Sequence, residues 1–153
     1  MVKMAKRKYL SLFISITLIT IFLDQLLKHL IFTYQPKIEL SVLRIVFSKN
    51  TGAGFGILPD QTFLLAIISA AVMLIIIYFY HDLPKERLPQ ILFALFLGGT
   101  IGNLIDRIFR QYVIDFISFT FWPAFNVADA SISIAAVGLM IYYLRSKDYP
   151  CIL

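Results

Sequence analysis

The sequence predicts an all-α integral membrane protein with four transmembrane helices and a small external β-element. Three observations carry this reading. Of 153 residues, 59% are hydrophobic and only 15% charged, with a mean hydropathy of +0.82, whereas a soluble domain carries about a quarter charged residues. Four apolar runs approach the roughly 20 residues that a helix needs to cross a bilayer. Between the first two runs the pattern changes to alternation, with Ile38, Leu40 and Val42 set against Glu39 and Ser41, the period of a strand.

In chain order, Lys3, Lys6, Arg7 and Lys8 precede an apolar run from Leu10 to Leu23, which meets Asp24 and resumes through Leu30, Ile31 and Phe32. The first alanine after Ala5 is Ala53, so no small-x-small cleavage site follows, and residues 10–32 read as a retained span rather than a removed leader. Residues 63–80 hold no charge and close on Tyr78, Phe79 and Tyr80, suited to the headgroup level. Residues 89–105 form the third span, with Pro89 in a first helical turn and Gly98, Gly99 and Gly102 allowing close helix approach. The fourth, 125–144, is interrupted by Asn126 and Asp129. The external β-rich segment covers about residues 36–60, including Ile45 to Phe47 and the glycine-bearing stretch Asn50-Thr51-Gly52-Ala53-Gly54-Phe55-Gly56. No internal repeat or low-complexity linker divides the chain, so a single membrane domain over 1–153 is the simplest organisation.

Charge orients the spans. Residues 1–9, 81–90 and 145–153 together hold 8 Lys or Arg in 28 positions, against 5 in 49 for residues 33–62 and 106–124. The positive-inside rule then places both termini in the cytoplasm. The net charge of +5 lies beside apolar segments and reads as topology and attraction to membrane lipids; no basic stripe interleaved with exposed aromatics suggests nucleic acid. A single cysteine, Cys151, excludes an internal disulfide, and with His29 and His81 on opposite sides no cysteine-histidine metal site is expected. Gly52, Gly54 and Gly56 lack a phosphate-loop pattern, and Trp122 reads as an interface anchor.

The informative residues are carboxylates in apolar settings. Asp24, Asp106, Asp115 and Asp129 lie within or beside the spans, where an uncompensated charge costs several kcal/mol, and the topology gathers all four at the external face. Asp24 and Lys28 are spaced for an ion pair on one helical face, which serves as structural anchoring. Asn103, Asp106 and Arg107 share a face by the same rule, either as a cap to the span or, through Asn103 and Arg107, as ligand-binding groups. Asp115 sits in Val113-Ile114-Asp115-Phe116-Ile117 and Asp129 in Phe125-Asn126-Val127-Ala128-Asp129. If brought close they would share one proton, the requirement for aspartyl hydrolysis; apart, they are two separately hydrogen-bonded buried acids.

Five blocks, in order and spread over nearly the whole chain, resemble lipoprotein signal peptidase, or signal peptidase II: Asp24-Gln25-Leu26-Leu27-Lys28, Asn50 to Phe55, Gly102 to Arg107, Val113-Ile114-Asp115, and Phe125 to Asp129. The resemblance implies an aspartic endopeptidase of the bacterial inner membrane that needs no metal or other cofactor. Its site lies at the outer face, flanked by a periplasmic β-cradle and a periplasmic helix. The implied substrates are diacylglyceryl-modified prolipoproteins, cut just before the lipid-modified cysteine, and the implied inhibitors are globomycin-type cyclic peptides. It makes Asp115 and Asp129 catalytic, places Asn50, Gly52, Asn103, Arg107 and Asn126 in the substrate pocket, and gives Asp24, Lys28 and Asp106 a supporting role. Gln111 stands where the family often has glycine before its Val-Val-Asp, and the stretch between the two aspartates is short. From the residues alone, a small proton-coupled transporter or channel competes, since intramembrane acids also form proton relays, although a relay would spread acids through the membrane depth. A non-enzymatic assembly factor would explain the anchors but not two apolar-embedded aspartates.

Overall fold

The computed structural model describes residues 2–53 and 57–145, with side chains from residue 9 onward; Gly54, Phe55, Gly56 and Cys151 lie outside the described residues. Among the described residues, four helices are long and apolar enough to cross a membrane. Helix α1 (Val2–Tyr34) is followed by strands β1 (Lys37–Leu40) and β2 (Leu43–Asn50). Helix α2 (Thr62–Tyr78) ends in a 3-10 turn at Phe79–Asp82, and α3 (Arg87–Phe109) leads into β3 (Val113–Phe119), β4 (Trp122–Phe125) and α4 (Val127–Arg145). The helices run past the expected spans at both ends of α1 and α3. Asp106 and Arg107, expected to follow the third span, therefore lie inside α3. Phe125, expected to open the fourth span, instead closes β4.

Helix α3 is the axis of the bundle and packs against α1, α2 and α4. Its apolar window is 61% buried, against 17–22% for the other three, whose remaining apolar faces suit contact with lipid. Small residues make this possible. A Cβ at Gly99 would stand 2.5 Å from the Ala128 carbonyl oxygen of α4, so only glycine lets these two backbones meet. Phe13, Ile76, Ala94 and Leu97 form the apolar core between α1, α2 and α3, and Ile31, Ile114 and Phe116 form a second core beneath the sheet.

The four strands form one antiparallel sheet in the order β1-β2-β3-β4. It closes the end of the bundle where α1 and α3 finish and α4 begins. Strands β1 and β2 fall in the segment expected to be β-rich, but the described part of 51–60 adds turns and no strand or helix. Strands β3 and β4 fall where no strand was expected. The physical reason lies in β3, which is buried along nearly its whole length. It therefore lacks the apolar-polar alternation of a half-buried strand and reads as a short apolar run. Pairing shifts by one residue between Ile45 and Ser48 of β2, opposite Asp115 of β3, a bulge that bends the strand beside that carboxylate.

Both helices that enter the sheet end in a left-handed residue, Gln35 after α1 at φ 42° and Gln111 after α3 at φ 63°. This is the position after a helix end that glycine favours. At Gln111 a side-chain bond to the Ile108 carbonyl, 3.1 Å, offsets part of the backbone cost. Gln111→Gly should therefore fold normally and raise stability by up to about 1 kcal/mol, read as an increase in the thermal midpoint in detergent micelles.

Candidate active site

The polar residues at the sheet end are organised around one ammonium group. Lys28 on α1 is fully buried. Its Nζ lies 2.8 Å from Asp24 Oδ2 one turn earlier and 3.2 Å from Asp106 Oδ2 on α3. It also donates to Asn103 Oδ1 at 2.9 Å. Neither acid is left with an idle oxygen. Asp24 Oδ1 accepts the Ala128 N–H in the first turn of α4 at 2.9 Å, and Asp106 Oδ2 accepts the Ile114 N–H of β3 at 3.0 Å. Arg110 donates to Asp106 Oδ1, and Gln25 bonds the same oxygen at 3.2 Å. This cluster thus pins α1, α3, α4 and β3 to one another. Gly102 makes room for it, because a Cβ there would stand 2.6 Å from Asp24 Oδ2.

Three asparagines carry the order of this cluster to the two remaining aspartates. An ammonium can only donate, so Asn103 must turn its oxygen to Lys28 and its NH2 outward, where it meets Asp129 Oδ1 at 2.7 Å. Asn126 precedes α4 and forms a reciprocal cap with Asp129: its Oδ1 accepts the Asp129 N–H at 2.9 Å, and its own N–H donates to Asp129 Oδ2 at 3.2 Å. The Asn126 NH2 is then turned to Asp115 Oδ1 at 2.7 Å and Asn103 Oδ1 at 3.2 Å. On β2, the Gly52 N–H donates to Asn50 Oδ1 at 2.9 Å, which sends the Asn50 NH2 to Asp115 Oδ2 at 2.9 Å. In each asparagine an obligate donor fixes the oxygen, and a carboxylate receives the nitrogen.

The structure brings together Asp115, Asp129, Asn50, Asn103 and Asn126, with Gly52 aiming Asn50 from behind. Asp24, Lys28 and Asp106 lie behind Asn103. Asp106 is engaged by Lys28, Arg110 and β3, which gives it more to do than cap a span. Arg107 lies within electrostatic reach of Asp129, Asp106 and Asp115 and donates through Nη1 to Ser69 of α2 at 3.2 Å. Asn50, Asn103, Arg107 and Asp129 line a cavity of about 540 Å³ that continues over Trp122, Ala124 and Phe125 of β4 and Ile132 and Ile134 of α4. Trp122, expected to be an interface anchor, is thus also a wall of this cavity. Sequence reasoning missed Ser69, Gln25 and Arg110. Ser69 had one signal, a hydroxyl in an otherwise apolar helix.

Asp115 is 2% exposed. Burial, reinforced by the neighbouring Asp129 charge, pushes its carboxyl up to about 7, against the pull of the Asn50 and Asn126 bonds. Among the described residues no group of three or more His, Cys, Asp or Glu is placed to hold a metal ion. Lys28→Met should destabilise the fold by about 3–5 kcal/mol, because it leaves Asp24 and Asp106 buried without their shared cation. The thermal midpoint in micelles reads this, and adding Asp24→Asn should restore part of the loss.

The family model described as signal peptidase (SPase) II matches residues 16–145. The chain is 36% identical over 141 residues to the lipoprotein signal peptidase of Halothermothrix orenii, covering 87% of this chain and 94% of that one. It is 42% identical over 134 residues to that of Shouchella clausii, covering 82% and 87%. A bacterial membrane enzyme solved by the in meso method at 2.3 Å superposes with a TM-score of 0.84 at 28% identity, covering 92% of this chain and 94% of that one. The four spans, the antiparallel sheet that closes them and these matches together show that the chain belongs to the signal peptidase II family of membrane peptidases.

Proposed function

We propose that this protein is an aspartyl endopeptidase that removes the signal peptide from diacylglyceryl-modified prolipoproteins by cutting the bond before the lipid-modified cysteine. The observation that carries the reading is Asn126, which touches both Asp115 and Asp129, the latter in the wall of a largely apolar cavity. In this reading both termini are cytoplasmic and the sheet lies at the outer face of the bacterial cytoplasmic membrane. The scissile bond of a lipid-anchored substrate would arrive at that depth. The cavity walls of β4 and α4 offer apolar surface to the acyl chains, and Arg107 offers a fixed cationic fork to peptide carbonyls.

The two carboxyl groups divide the work. Asp115, whose proton is held to near neutrality by burial, polarises the scissile carbonyl with that proton. Asp129 takes a proton from a water as its oxygen attacks the carbonyl carbon. The tetrahedral intermediate collapses as Asp129 passes the proton it took from water to the leaving nitrogen and Asp115 recovers its own from the carbonyl oxygen. The products are a signal peptide with a new carboxylate and a lipoprotein whose lipidated cysteine carries a free amine. Asn50, Asn103 and Asn126 hold both acids in place throughout, so little reorganisation accompanies the step.

Purified protein mixed with a diacylglyceryl-modified prolipoprotein should cleave it, with the product followed by gel shift. Asp115→Asn and Asp129→Asn keep the shape but remove the acid or the base. Each alone should reduce turnover by at least about a thousandfold with folding retained, and near-normal cleavage by either variant would remove that aspartate from the mechanism. The pH dependence follows from the same pair. The proton on Asp115 is present below about 7 and lost above it, so kcat should fall as pH rises through neutrality. It should also fall in acid as the second carboxyl protonates. A saturated rate that keeps rising well above neutrality, with the protein folded, would mean that no essential proton is shared.

A further inference from the structure

The one polar group in the middle of α2 has a role outside the dyad. The face that α2 turns to α3 recurs as Thr62, Leu65, Ser69, Val72 and Ile76, a helical seam in which Ser69 is set among the apolar Leu65, Val72 and Ile76. The Ser69 hydroxyl spends its single proton on the Leu65 carbonyl oxygen at 2.8 Å. Its lone pairs remain, and Arg107 Nη1 donates to them at 3.2 Å. The direction of this contact matters. Arg107 lies two residues before the end of α3, beside the sheet. Ser69 lies seven residues inside α2 from the same end, about 10 Å down the helix at 1.5 Å per residue. Side chains lean toward the start of their own helix, so the Arg107 side chain runs from the sheet end down into the bundle. A guanidinium on a long stem ordinarily bends the other way, toward water.

We propose that Ser69 is a positioning residue that tethers the Arg107 guanidinium in the wall of the cavity and keeps it from bending up to the aqueous end. The proposal rests on the reading of Arg107 as a substrate-binding group. Without the tether, the guanidinium is free to leave the cavity wall and bend up to the aqueous end. The cavity then loses its donor for substrate carbonyls, while the dyad and its asparagines stay as they are. A binding contact made equally to substrate and transition state is read in KM rather than kcat.

Ser69→Ala should raise KM for a diacylglyceryl lipopeptide about tenfold, the worth of one hydrogen bond to a charged group, with kcat within about twofold. Ser69→Thr, which keeps the hydroxyl, should restore KM. In an Arg107→Gln background Ser69→Ala should add nothing, because the group it positions is gone. An independent reading that needs no turnover is the rate at which phenylglyoxal modifies Arg107 in micelles, followed by mass spectrometry: faster in Ser69→Ala than in the wild type, and normal in Ser69→Thr. An unchanged KM, an equal effect in the Arg107→Gln background, failure of threonine to rescue, or an unchanged modification rate would each overturn the tether. Failure of the wild type to cleave the lipopeptide would instead sink the substrate reading, and the phenylglyoxal rates would still decide the tether.

Discussion

A lysine buried to zero exposure inside an apolar bundle is tolerable only if every donor on it is answered, and the rest of the structure follows from how that is done. Lys28 meets two carboxylates and one amide oxygen, drawn from α1 and α3. The carboxylates in turn take backbone N–H groups from α4 and β3. A cluster of this kind gives weak net stabilisation compared with an apolar core of the same shape. Its value is directional. It permits one mutual placement of three helices and a strand, where apolar packing among leucines and isoleucines would permit several.

That placement is needed because the bundle supplies little else at this end. Three of the four helices keep most of their apolar surface for lipid, and in a bilayer helix association gains little from hydrophobic burial. Small residues on α3 let the backbones approach, and the polar cluster then sets their register. Thus the same helix that is most buried also carries Asn103, Asp106 and Arg107, and the strands and α4 bring the remaining site residues to its end.

Much of this was legible in the sequence, for reasons that differ from residue to residue. The spans announce themselves because twenty apolar residues have few other uses, and the Asp24 to Lys28 spacing gives the ion pair because a helix places i and i+4 side by side. The pairing of Asp115 with Asp129 was only an alternative from spacing, since nothing local says that Asn126 spans the two. Strand β3 was invisible for the reason that makes it useful: buried on both faces, it shows no alternation, and it carries Asp115 into a dry setting. Ser69 was passed over because a lone hydroxyl in a membrane helix ordinarily serves its own preceding turn, as this one does through Leu65. Its second bond exists only once α2 is laid against α3.

The asparagines explain how the site is held stiff by side chains of the chain itself. Each of the three is fixed at its oxygen by a group that can only donate, an ammonium or a backbone N–H, and so presents its NH2 to an acid. For Asp115 this creates a conflict. Two amide donors favour its ionised form, while burial and the Asp129 charge oppose it, and burial wins, leaving the group near 7. Were the donors absent, desolvation would lock the proton on; were the strand exposed, the carboxyl would ionise fully. Acid-base work at neutral pH needs a proton that is held but can be released, and a buried strand lined by asparagines meets both conditions with uncharged side chains. A cation at Asn50 or Asn126 would tip the balance toward permanent ionisation. The charge of Lys28, set behind Asn103, pulls on the Asp115 carboxyl less than burial, Asp129 and the two asparagines do, and its main effect at the two aspartates is an orientation.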